Sequence, residues 1–348
     1  MMRLQGLLLA AMLACATAQA GDDKDPRAEL LARGEGELQR GENTAALDDF
    51  ERAAMMRHEA DAEIGLIRAA MQDGQYRRAL AFAAHTAGEH LEHPEAGALY
   101  AWLLYIGGQR GLAQRLLDEW RARAPGDALL AETARALAGD LPLAPDALLA
   151  APHRFAPWAT GDATPADLRQ LSNGVLLGDG SLAVAPIPAA TQVWLRNGLG
   201  QTRLATVDRS DAALEAAGLT LLHLSKPLPP GQAPSAREPF AGSPGFLVRF
   251  APRAQAAWPV LSQGFLGGQA GPLRRLGFAA DGVALGAAVL DRQGRTAGIV
   301  LGTVDGEPRW RPLAATAGAA PGPVPSGLIA PDEVYENGLR VALQVLAR

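Results

Sequence analysis

Histidine and cysteine, the residues most often used for nucleophilic and transition-metal chemistry, number only six and one in the 348-residue chain. His90 and His93, with Glu89 and Glu92 beside them, have the i, i+3 spacing that places two imidazoles on one helix face. A metal site of that kind needs a third ligand and an organised outer shell. His85 falls off that face, so a solvated helix end before Pro94 is expected and no metal is assigned. His223 and Ser225 share a strand face and could act as base and nucleophile, but no orienting carboxylate or oxyanion loop accompanies them. Ser243, in Ala241-Gly242-Ser243-Pro244-Gly245, lacks the first glycine of a nucleophile elbow and reads as a turn. Asp22, Asp23 and Asp25 read as a disordered stretch rather than a calcium site. Trp102 and Trp120 are expected to pack within helices, and Trp158, Trp194, Trp258 and Trp310 as core or docking residues. No cofactor is expected.

The length allows about two domains. Hydrophobic content of 48% supports packed cores, and 39 glycines with 25 prolines favour a turn-rich β portion. A net charge of −5 without a basic run argues against a nucleic-acid partner. The first residues read as a secretory signal over 1–20: Met1-Met2-Arg3, an apolar run from Leu7 to Ala14, and Ala18-Gln19-Ala20 as the cleavage site. Export to the periplasm or medium follows, with a membrane attachment only if Cys15 is lipidated.

Residues 21–140 carry a helical period. Gly41, Gly74 and Gly108 are spaced by 33 and 34 residues, and each is followed five residues later by alanine, Ala46, Ala79 and Ala113. Glycine takes a turn conformation that other residues resist, and alanine lets paired helices approach closely. Gly34, Phe50, Ala53, Tyr76 and Pro125 add to the pattern. It resembles the tetratricopeptide repeat, which implies helix hairpins that bind peptides or partner proteins. Asp127 should cap a closing helix from Ala128 to Ala138. Residues 141–165 follow with five prolines and the apolar anchors Leu141, Leu143, Phe155 and Trp158, a linker composed to lie against a neighbour rather than swing free.

Residues 166–348 alternate short apolar runs with turns: Val175 to Val184 around Gly-Asp-Gly, a hairpin at Asn197-Gly198, Leu219 to Leu224, Phe246 to Phe250, and Ala287–Leu290 with Thr296–Leu301 around Asp291-Arg292-Gln293-Gly294-Arg295. An amphipathic helix from Pro331 to Arg348 should bury Tyr335, Leu339, Leu343 and Leu346. From Val175 to Asp291 the order and spacing resemble the trypsin-like serine peptidases of the HtrA type. That resemblance implies a double six-stranded β-barrel, so the chain as a whole reads as multi-domain, α then β. It also places Ile187 at the family's histidine, Gly218 at its aspartate and Leu285 at its serine. Of the family's Gly-Asn-Ser-Gly-Gly-Pro loop, aligned with Val283-Ala284-Leu285-Gly286-Ala287-Ala288, only Gly286 remains. No serine lies between Ser262 and Ser326 and no histidine follows His223, so a shifted alignment does not restore the set. Acyl transfer needs an activated oxygen and a base. The expectation is a pseudo-peptidase: an exported, non-catalytic adaptor that binds a protein or peptide through its helical repeats. The alternatives are a serine hydrolase with an unorthodox site and a purely structural envelope protein.

Overall fold

The computed structural model describes residues 25–139, 146–187, 190, 192–232, 234–235, 238–279, 283–313 and 329–348. The expected signal segment with Cys15, Asp22 and Asp23, and the linker residues Leu141, Pro142, Leu143 and Pro145 lie outside them.

Seven helices come first: α1 Pro26–Arg40, α2 Asn43–Met56, α3 Ala60–Gln72, α4 Tyr76–Glu89, α5 Pro94–Ile106, α6 Arg110–Arg123 and α7 Ala128–Ala138. The Asp25 carboxylate accepts from the Arg27 N–H and opens α1, with Pro26 at the first helical position; Asp127 caps α7 by accepting from the Leu130 N–H at 2.8 Å. Gly41, Gly74 and Gly108 hold positive φ (76°, 82° and 85°) in the turns that pair α1 with α2, α3 with α4 and α5 with α6. Ala46, Ala79 and Ala113 are fully buried where the helices meet. At Gly34 a Cβ would sit 3.0 Å from the Phe50 ring, so the small residue makes room for the large one. Helix α5 is apolar nearly all round and is enclosed by α4, α6, α7 and the barrels.

The linker ends in β1 (Thr160–Gly161), and twelve strands follow. They are β2 Arg169–Leu177, β3 Leu182–Ala185, β4 Gln192–Asn197, β5 Gln201–Asp208, β6 Thr220–Leu224, β7 Ser243–Arg249, β8 Val260–Ala270, β9 Leu273–Gly277, β10 Ala288–Asp291, β11 Thr296–Val304, β12 Glu307–Pro312 and β13 Ala342–Ala347. Short helix α8 (Ala212–Ala216) precedes β6, and α9 (Pro331–Val341) precedes β13. The first barrel runs β5-β4-β13-β2-β3-β6 and is closed by a β5–β6 ladder, with β1 parallel to β5 at its side; the second closes in the order β10-β11-β12-β9-β8-β7. The architecture is a helical region followed by a trypsin-like double barrel of six strands each.

Two expectations change. The closing helix does not run to Arg348: it stops at Val341, and Leu343 and Leu346 lie on β13. Ala342 is already extended, at φ −77° and ψ 138°. The cause is tertiary, because β13 fills the gap between β2 and β4 and pairs with both, Leu343 facing Gly174 on one side and Asn197 on the other. Its odd-numbered residues Leu343, Val345 and Ala347 enter the first barrel's core. Gln344 turns outward and donates to the Arg253 and Gln255 carbonyls. The Asn197-Gly198 hairpin is also longer than a two-residue turn. Positive φ falls on Gly200, while Gly198 is needed for a close approach, since a Cβ there would meet Leu339 at 2.9 Å. Strands β8, β9 and β12 carry too many glycines, prolines and arginines to stand out in the sequence, yet they bury Leu266, Leu276 and Trp310 together.

The helical region stands on the barrels by its glycine turns. A Cβ at Gly41, Gly74 or Gly108 would lie 3.0, 3.3 and 3.1 Å from Thr160, Leu199 and the Leu261 carbonyl. Tyr76 of α4 meets Tyr335 of α9 edge-on at 4.6 Å, and one apolar cluster runs from Tyr76 and Trp102 through Phe155 to Trp258, Val248 and Tyr335. The linker takes part. Trp158 donates from its backbone N–H to Gln72 (2.9 Å) and from its indole to Glu35 (3.1 Å), with the Arg154 guanidinium 4.2 Å over its ring.

Candidate functional site

Two of the three positions aligned with a peptidase triad, Ile187 and Gly218, lie at one end of the first barrel, and the third, Leu285, lies on the loop before β10. The β3–β6 ladder ends at Ala185 opposite Thr220, and Ile187 and Gly218 each lie two residues beyond that pair, at the same end. Ile187 is half-buried against the first barrel's core. Gly218 has a local reason to be glycine. It holds φ 72° as α8 ends, its N–H donating to the Glu215 carbonyl while Leu219 N–H reaches back to Leu214. That left-handed stop disfavours any side chain, an aspartate included.

Leu285 occupies the turn that leads into β10. Its carbonyl accepts from both the backbone N–H (3.0 Å) and the side-chain amide (3.2 Å) of Asn173 on β2. The Asn173 carbonyl oxygen of the side chain accepts in turn from Phe250 N–H at 2.6 Å. Asn173 is 3% exposed and ties the two barrels together. Gly286 follows at φ 79°, and a Cβ there would lie 1.9 Å from the Asn173 backbone oxygen, so only glycine fits. The Leu285 side chain is 43% exposed. Asn173 adjoins Gly174, which packs beside Ala185 of β3, and so the loop comes down at the end of the barrel where Ile187 lies. Sequence reading missed Asn173; its signal was a lone amide at the start of the apolar run Gly174 to Leu177.

At His223 the structure corrects one expectation, for a carboxylate does orient it: Asp208 lies 3.1 Å from Nε2. The Ser210 hydroxyl and N–H, and after them His223, hold the Asp208 carboxyl down to about 2. The Ser225 hydroxyl, however, donates to Asp162 at 2.8 Å, and Asp162 also accepts from Leu204 N–H. Imidazole and hydroxyl therefore answer to different carboxylates. Ser243 opens β7 after a turn at Gly242, Asp25 is the cap of α1, and Trp102, Trp258 and Trp310 are buried.

His90 and His93 do stand at helix ends, as the C-cap of α4 and the N-cap of α5, but His90 is buried rather than solvated. Helix α4 stops at Glu89, so both histidines are in the loop before α5, and His90 is 7% exposed. His90 faces Glu63 of the preceding hairpin, with Nε2 to Oε2 at 3.5 Å, together with His58 and His85. His93 instead pairs through Nδ1 with Glu95 at 3.0 Å. No local spacing could show a set assembled from α3 and two loops.

No family model matches the chain, and no curated protein matches it. Among solved structures it is similar to the inactive form of the Rv3671c protease, at 13% identity and a TM-score of 0.35, covering 43% of this chain and 84% of that one. It is also similar to the inactive form of a serine-to-alanine mutant of Rv3671c from M. tuberculosis H37Rv, at 12% identity and a TM-score of 0.33, covering 43% and 82%. Scores this low carry no inference about activity; the double barrel rests on its own strand pairings.

Proposed function

We propose that this protein is a non-catalytic adaptor, a pseudo-peptidase whose tetratricopeptide-like hairpins and barrels bind a protein or peptide partner in the cell envelope. One observation carries the reading: the loop from Val283 to Gly286, seated between the barrels by Asn173, presents the aliphatic side chain of Leu285. Leucine, isoleucine and glycine supply neither a nucleophile nor a base, and in a peptidase studied by mutation, loss of the triad costs about 10⁶ in turnover. Apolar groups at such a junction also avoid the desolvation cost of a buried polar set. Affinity purification of the tagged chain from its own envelope fraction, with and without residues 21–140, tests the adaptor reading. A partner captured only with the helical region supports it, and an identical eluate from both forms contradicts it.

The Asp208–His223 contact favours one second reading, a hydrolase that uses Ser225. A fluorophosphonate probe separates the two. Covalent labelling abolished by Ser225→Ala would establish the hydrolase, and an unlabelled wild-type chain leaves the adaptor.

A further inference from the structure

Glu63 opens the first turn of α3, and its carboxylate is 4% exposed. Around it stand three imidazoles from separate segments: His58 of the α2–α3 loop, His85 of α4 and His90 of the α4–α5 loop. His58 Nε2 lies 2.6 Å from Glu63 Oε1, His85 Nε2 lies 3.5 Å from the same oxygen, and His90 Nε2 lies 3.5 Å from Oε2. The His58 ring is 5.1 Å from that of His90 and 5.7 Å from that of His85.

Two atoms here are unexplained by the protein alone. Glu63 Oε2 and His90 Nε2 are both buried and lack a hydrogen-bond partner, although they face each other. Buried polar atoms are rarely left unsatisfied, because each costs desolvation free energy with nothing in return. A cation between them satisfies both at once. The ligand atoms of His58, Glu63 and His90 all lie within 4.8 Å of one another. Bonds of roughly 2.0–2.1 Å to imidazole nitrogen and carboxylate oxygen, set tetrahedrally, put ligand atoms about 3.4 Å apart. The two 3.5 Å separations are close to that edge, and the 2.6 Å His58–Glu63 contact would open by under 1 Å to admit an ion.

We propose that His58, Glu63 and His90 form a binding site for Zn²⁺ or a similar divalent transition ion, which His85, 3.5 Å from Glu63 Oε1, would join by a change of rotamer. Three imidazoles and one carboxylate suit such ions and are poor company for Ca²⁺ or Mg²⁺, which prefer all-oxygen shells. The half-exposed rings of His58 and His85, at 57% and 48%, leave an entry path, while Glu63 and His90 form the buried floor. The site pins the α2–α3 loop to the α4–α5 loop. It therefore ties the two ends of the α3–α4 hairpin together, at the end away from the Gly74 turn. It is a structural site, and it does not depend on the adaptor reading.

The test uses the purified chain stripped with chelator and then titrated with Zn²⁺ by calorimetry, with metal content measured after dialysis. One equivalent should bind with micromolar or tighter affinity, and saturation should raise Tm by about 5 °C. Co²⁺ in its place should show the visible absorption of a tetrahedral nitrogen–oxygen site. His90→Ala and Glu63→Gln should each weaken binding by at least about 100-fold, more than loss of an outer-shell partner typically does. Exposed His58→Ala is the variant to read if a buried change unfolds the chain, and His223→Ala should have no effect. Absence of stoichiometric binding, or unchanged affinity in the His58→Ala/His90→Ala double variant, overturns the proposal.

Discussion

The two ends of the helical hairpins are built differently. At the turn end the helices pack on the barrels, and only scattered single atoms such as Glu37 Oε2 and Asn43 Oδ1 are left without a partner. Tyr76 donates to the Leu103 carbonyl at 2.9 Å, Tyr335 to the Pro259 carbonyl at 2.5 Å, and the turn glycines admit the barrels. At the far end one oxygen of a buried carboxylate, Glu63 Oε2, and a buried imidazole nitrogen, His90 Nε2, face each other without a hydrogen bond. What marks the far end is that two such atoms, a carboxylate oxygen and an imidazole nitrogen, face each other 3.5 Å apart. Leu285 stands on the loop that Asn173 seats between the barrels, and the histidine–glutamate cluster lies on the helices.

That contrast can be broken in order of expected effect. Tyr335→Ala deletes a fully buried ring at the packed end and should cost about 3–5 kcal/mol in chemical denaturation. Alkaline pH attacks the same end. Burial raises the Tyr76 and Tyr335 hydroxyls above the ordinary tyrosine value. Their stabilising contribution is therefore complete below about pH 10 and is lost as pH rises toward the folded-state values, by up to about 1.4 kcal/mol per pH unit for each tyrosine. Denaturation at pH 9 and 11 should show the loss, and the Tyr76→Phe/Tyr335→Phe variant should show less of it. Gly108→Ala puts a side chain at φ 85° and 3.1 Å from the Leu261 carbonyl, and should cost about 1–2 kcal/mol. At the far end Glu63→Gln should behave differently. In chelator it should match or exceed wild type by up to about 1 kcal/mol, because the unpartnered buried Oε2 gives way to a neutral amide, and in Zn²⁺ the order should reverse. A clear loss of stability in chelator would make the far end ordinary architecture as well. The smallest effect belongs to Leu285→Ser, which restores a hydroxyl but no base and should leave peptidase turnover and fluorophosphonate labelling at background.

Much of the fold was legible because its signals are local. The Gly41, Gly74 and Gly108 spacing located three helix turns, Asp127 located the start of α7, and the apolar runs around Asp291 to Arg295 located β10 and β11. What escaped was set by distant partners. Leu343 and Leu346 have a helical spacing with Tyr335 and Leu339, yet a vacancy between β2 and β4 draws them into a strand. Glycine-rich β8 reads as loop until β7 and β9 pair with it. His90 reads as a solvent-facing residue beside its own Glu89 and Glu92, and only the stacking of α3 against α4 brings Glu63 to it.

By itself the sequence determined which chemistry is possible: six imidazoles, no serine or histidine along the stretch aligned with a nucleophile loop, and a helical half followed by a strand-rich half. Those are matters of residue type and short-range period, which side-chain chemistry and backbone sterics settle within a few residues. Tertiary structure alone decided that the last strand completes the first barrel, that Asn173 seats the Leu285 loop between barrels, and that four residues spread from His58 to His90 converge. Ladder pairing, barrel closure and the grouping of buried ionisable groups depend on which distant segments meet, and no local period records that.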